Sequence, residues 1–85
     1  MDVASFTSAY AQGFARVAAC TVPVTPADPA ANARAVIAQA QVCHERAVAV
    51  ATFPELCLSG YAIDDLLLAD TLLDGVLAGL AEIVA

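Results

Sequence analysis

The dipeptide Asp28-Pro29 lies between two short apolar runs, RVAACTV at 16–22 and AVAVATF at 47–53, and this arrangement leaves few folds open. An aspartate side chain accepts from the free N–H groups that begin a helix, and proline needs no donor at the first helical position, so a helix starts here. Ala33, Val36, Ile37, Ala40, Cys43 and Ala47 then recur at helical spacing, while Asn32, Gln39, Glu45 and Arg46 fall largely elsewhere. That pattern predicts an amphipathic helix lying on a sheet, with Cys43 a small core residue and His44 facing solvent. The flanking runs are short, continuously apolar and partly β-branched, as in strands buried on both faces. Strand, capped helix and strand make a βαβ unit with parallel strands, and the segment PVTPADP at 23–29 ends the first of them.

The remaining segments extend this unit. Residues 2–13 read as a short helix, with Phe6, Tyr10 and Phe14 four apart and Gly13 as its stop. After a loop over 54–63, Asp64 or Asp65 is placed to cap a last helix with one packed and one wet face, in which Gly75 and Gly79 permit close packing. The fold class is therefore α/β, a βαβα arrangement. Such a unit leaves a sheet edge and a sheet face or helix stripe uncovered. With 85 residues and 61% hydrophobic content, the chain is expected to be the N-terminal portion of a larger domain.

Charge and cysteine content remove several functions. Nine acids, three arginines and no lysine give a net charge of -6, which argues against nucleic acid, since phosphate contacts need clustered cations. Cys20, Cys43 and Cys57 are odd in number and widely spaced, so neither a disulfide framework nor a metal site is expected, and a reducing cytoplasm fits. The stretch 66–85 is long enough to span a bilayer but contains Asp70, Asp74 and Glu82, each costing about 2.5–3.5 kcal/mol at mid-membrane. VAAC at 17–20 lacks the basic and apolar segments that precede a lipidated cysteine. No membrane partner is expected.

The functional signal lies in TFPELCLSGY at 52–61. Ligands of parallel α/β sheets gather at the carboxyl ends of the strands, and Glu55 lies two residues past such an end. Pro54 disfavours helix at Phe53 and fixes its own φ, so the turn aims the carboxylate in a defined direction, as a general base requires. The residues alone leave two readings open, a general base and a solvated or backbone-capping loop acid. Cys57 shares the side of Glu55 only if strand alternation persists through the loop.

FPELCLSGY resembles the glutamate motif of the nitrilase superfamily, carbon-nitrogen hydrolases with a Glu-Lys-Cys triad in an αββα sandwich. The continuation LSGYAIDDLLLADTLLD, with SAYAQGFARVAACT and DPAANA upstream, is similar to the glutaminase domain of the actinobacterial type of glutamine-dependent NAD synthetases. The resemblance implies that residues 1–85 are an incomplete N-terminal part of that domain, with the synthetase domain absent. It gives Glu55 the role of general base towards a nucleophilic cysteine, places Tyr61 near the glutamine pocket, and makes Gly60 the turn residue. It further implies ATP, Mg and deamido-NAD as ligands of the absent synthetase domain, none of them held by residues 1–85, and a homo-oligomeric full-length enzyme. Two departures matter. The chain has no lysine for the triad, and Cys20, Cys43 and Cys57 do not match the nucleophile's motif, so the isolated chain is expected to be inactive. The alternatives are part of another nitrilase-type amidase or carbamoylase, or a non-catalytic interaction remnant.

Overall fold

The structure, a computed structural model, describes residues 10–85. Most of the helix predicted over 2–13, including Phe6, lies outside the described residues. Its last four residues form a turn, in which the Gly13 N–H donates to the Tyr10 carbonyl at 3.1 Å.

Two parallel strands, β1 (Val17–Ala19) and β2 (Val50–Thr52), pair Val17 with Val50, Ala18 with Ala51 and Ala19 with Thr52. Between them runs α1 (Pro29–Glu45), so the predicted strand–helix–strand unit is present. Asp28 caps α1 as expected, its carboxylate accepting from the Ala31 N–H at 3.2 Å with Pro29 at the first position. The helix ends in a Schellman motif: the Ala47 N–H donates to the His44 carbonyl and the Val48 N–H to the Cys43 carbonyl. Ala47 takes the left-handed conformation usually left to glycine, with φ 57°. It is exposed here, and belongs neither to the buried helix stripe nor to a strand.

Both strands are shorter than the apolar runs predicted. The left-handed turn at Ala47 delays β2, Pro54 closes it, and Pro23 and Pro26 bar β1 from continuing because neither has an N–H to give. The prediction of burial on both faces is also corrected. Ala18 and Ala51 are half-buried on the side of α1, where the Cys20 and Cys43 sulfurs lie 3.6 Å apart, whereas Val17 and Val50 on the opposite face are exposed. Only one layer of helix covers this sheet among the described residues.

The core runs along α1 through Ala33, Val36 and Cys43, while Ala40 is exposed and His44 faces solvent as expected. Asn32, predicted off the apolar stripe, is instead 1% exposed. The last helix, α2 (Asp70–Val84), does not start at Asp64 or Asp65. Those residues open a separate 3-10 turn over Asp64–Leu68, preceded by the buried Ile63, and extended backbone at Ala69 breaks it from α2. No side chain caps α2, although Asp70 in its first turn complements the helix dipole.

Gly75 and Gly79 do bring α2 against the first turns of α1. A Cβ at Gly79 would lie 3.2 Å from the Ala33 Cβ and 3.3 Å from the Pro29 carbonyl oxygen, closer than ordinary contact. Leu72 is buried in the same contact layer, but Leu73, Leu77, Leu80 and Val84 form an exposed apolar stripe. The face predicted to be wet is thus partly apolar.

Candidate functional site

β2 delivers the chain at Thr52 to a half-buried Phe53 and then to Pro54, after which Glu55 is exposed. The backbone then doubles back. Leu56 is left-handed with φ 56°, and the Gly60 N–H closes the turn on the Leu56 carbonyl at 2.7 Å. Gly60 has φ +89°, and a Cβ there would stand 3.1 Å from the Pro26 Cα, so both conformation and space demand glycine. This reversal brings Tyr61 back to Glu55, and its hydroxyl donates to the Glu55 Oε1.

That hydrogen bond raises the Tyr61 pKa above its ordinary value, with desolvation and the nearby carboxylate charge adding in the same direction. The phenol therefore stays protonated as a donor through neutral pH. The structure brings the two site residues found in the sequence into direct contact, where sequence reasoning gave Tyr61 only a place beside a substrate. Cys57 is half-buried at the rim of the same hollow, but the hydrogen bond to Glu55 comes from Tyr61 and not from the thiol.

Glu55 and Tyr61 border an open, mostly apolar hollow of about 310 Å³, walled by Val24, Pro26, Pro54 and Leu56. The Val24–Pro26 wall comes from the loop after β1, which the sequence marked only as a strand breaker. Two links hold the loops together. The Ala27 N–H donates to the Ser59 carbonyl at 2.8 Å, and the Asn32 carboxamide reaches both segments. Asn32 is the residue that sequence reasoning missed. Its only signal was a side chain with two donors and an acceptor, one turn after the Asp28 cap.

Cys20 and Cys43 sit away from this hollow, and burial, followed by their mutual hydrogen bond and charge, pushes the Cys20 thiol pKa up. Cys20 is therefore not an activated nucleophile, and Cys43 is buried against it. Among the described residues, no group of three or more His, Cys, Asp or Glu is placed to hold a metal ion, and no helix is long and apolar enough to cross a membrane.

No family model matches the chain. Curated relatives do: the chain is 55% identical over 80 residues to the glutamine-dependent NAD(+) synthetases of Mycobacterium tuberculosis and Mycobacterium bovis. It is similar to the N-terminal segment of these synthetases. The alignment covers 94% of this chain and 12% of each relative, and the synthetase of Mycobacterium leprae matches at 52% over 79 residues. The chain thus spans about an eighth of the length of the synthetases it matches, and nearly all of it, Glu55 and Tyr61 included, falls within a single alignment.

Proposed function

We propose that the chain is the N-terminal part of a carbon-nitrogen hydrolase domain and supplies the general base of a glutamine-hydrolysing site. The ammonia released there serves the ATP-dependent conversion of deamido-NAD to NAD. The observation that carries the reading is the Glu55 carboxylate: it is exposed at the carboxyl end of a parallel strand, held by the Tyr61 hydroxyl and set at the edge of an apolar hollow. Similarity to synthetases named as glutamine-dependent supports the substrate.

In this reading Glu55 takes the thiol proton of a cysteine as the sulfur attacks the glutamine side-chain amide. A thioester forms, and the same proton is returned to the departing ammonia. The Tyr61 phenol, 65% exposed, stands beside the bound glutamine. The cysteine and an oxyanion-stabilising lysine come from outside these 85 residues, because the chain has no lysine and its three thiols are core or rim residues. ATP, Mg and deamido-NAD are assigned in this reading to the synthetase part. The chain therefore works with the rest of its domain, in a cytoplasmic homo-oligomer, and hydrolyses no glutamine alone.

The test is a chimera in which this chain replaces the matching segment of the Mycobacterium tuberculosis relative. Glu55→Gln keeps size and packing but removes the base, so glutamine-dependent NAD formation falls by roughly 10²- to 10⁴-fold. Synthesis from free ammonium stays near the parent rate. Loss of both activities would make Glu55 a structural residue instead.

A further inference from the structure

We propose that Asn32 is the positioning residue for Glu55, its carboxamide setting the direction in which the carboxylate leaves the end of β2. This inference rests on the reading of Glu55 as the general base.

The Asn32 side chain is 1% exposed and spends its hydrogen-bonding capacity on backbone outside its own helix. Its Oδ1 accepts from the Thr25 N–H at 2.7 Å, and its Nδ2 donates to the Thr25 carbonyl and to the Leu58 carbonyl, both at 2.8 Å. Both amide hydrogens and the oxygen are thus engaged. If the position served packing alone, an apolar side chain would suit it better, because burying an amide gains little net stability even when its hydrogen bonds are made.

What the amide provides is location. Leu58 lies inside the turn closed from Gly60 to Leu56, three residues after Glu55 and three before Tyr61. Thr25 precedes the Pro26 against which Gly60 packs. One side chain on a stiff helix therefore fixes both loops that wall the hollow, and through the turn it fixes the two ends of the Tyr61–Glu55 hydrogen bond. Asn32 touches neither the carboxylate nor the hollow, so it acts through the loop.

The experiment uses the same chimera with Asn32→Asp, Asn32→Ala and Glu55→Gln in parallel. Asn32→Asp keeps the shape and the acceptor for Thr25, but turns both donors into acceptors facing carbonyl oxygens. A misplacement of about 1 Å can cost ~10²-fold in rate, so kcat for the glutamine-dependent reaction is expected to fall about 10- to 100-fold, by more than any change in KM for glutamine. The ammonium-dependent rate, which reports folded enzyme, stays at the parent value. As pH falls, a protonated aspartic acid regains one O–H donor, so the ratio of Asn32→Asp kcat to parent kcat rises, while the ratio for Asn32→Ala stays flat. A merely structural role would not produce that difference.

Equal losses in both activities, or a flat ratio for both variants, overturn the inference. Parent-like kcat in Asn32→Asp beside an inactive Glu55→Gln overturns it alone, whereas a fully active Glu55→Gln overturns the underlying reading. If Asn32→Asp does not accumulate, Gly60→Ala attacks the same turn from the Pro26 side. It must show the same loss confined to glutamine-dependent kcat, and loss of both activities in that variant overturns the inference as well.

Discussion

Replacing Gly79 by alanine tests whether the contact of α2 with the first turns of α1 supports the site. Two effects oppose each other. Alanine in place of glycine in a helix interior gains about 1 kcal/mol in propensity. Against it, the new Cβ meets the Ala33 Cβ at 3.2 Å and the Pro29 carbonyl at 3.3 Å, and the second of these is backbone at the start of a capped helix. Overpacking of a close contact costs typically ~1–3 kcal/mol, so Gly79→Ala is expected to lose up to about 2 kcal/mol overall. Gly75→Ala is the control. The three atoms nearest its Cβ would all belong to the Pro29 ring, with Cγ at 3.2 Å, and a ring can repucker, so most of the propensity gain survives. The two variants should differ by about 1–3 kcal/mol, which is roughly 5- to 150-fold in local opening. Peptide-level hydrogen exchange in the chimera reads this directly. Protection over the first turns of α1, where the Asn32 N–H bonds the Asp28 carbonyl at 3.0 Å, should fall in Gly79→Ala and hold or rise in Gly75→Ala. If Gly79→Ala protects α1 as well as Gly75→Ala does, the contact is loose and the reasoning is wrong.

Thiol labelling of the chain should modify the half-buried Cys57 first, with Cys20 and Cys43 reacting only after denaturant is added; mass spectrometry of digests gives the order, and early reaction at Cys20 would contradict its burial and raised pKa. The raised Tyr61 pKa means that the fold favours the neutral phenol: its contribution is complete below the unfolded value of about 10 and is lost as pH rises through the folded value. Ultraviolet titration of tyrosinate should show one phenol ionising late, and Glu55→Gln, by removing the carboxylate acceptor and its charge, should bring that step back towards the ordinary range.

The parts of this structure that are legible in the sequence are those whose chemistry is local. Asp28-Pro29 announces its helix because a cap needs only the next three residues, and Pro54 announces a defined exit for Glu55 because proline restricts its neighbour as well as itself. The small residues of α2 were readable too, since helix spacing puts Gly75 and Gly79 on one side. Legibility failed where partners are distant in sequence. Asn32 looked like a polar residue off the stripe, but its partners are a backbone N–H and two carbonyls, at positions 25 and 58. Tyr61 looked like a substrate contact, and nothing short of the turn at Leu56–Gly60 reveals that it folds back on Glu55. The strand ends were overcalled for a related reason: AVAVATF reads as one apolar run, while the Schellman motif after α1 consumes its first residues.

The same distinction between local support and distant chemistry explains how one small unit can carry the proposed general base. An exposed carboxylate three residues beyond a strand has several soft torsions, and each nearby feature removes some of them. Pro54 fixes one φ, Gly60 allows the reversal, Asn32 pins the turn to α1, and Tyr61 holds one carboxylate oxygen. All four lie within the described residues, so in the proposed enzyme this segment itself holds the orientation of Glu55. The nucleophile and its lysine have no such candidates here: Cys20 and Cys43 are buried, Cys57 does not match the nucleophile's motif, and lysine is absent. In the proposed enzyme this segment therefore contributes a pre-aimed base. Variants of its supports should act on the rate of glutamine hydrolysis, while the remainder of the site decides whether a thiol is present to be deprotonated.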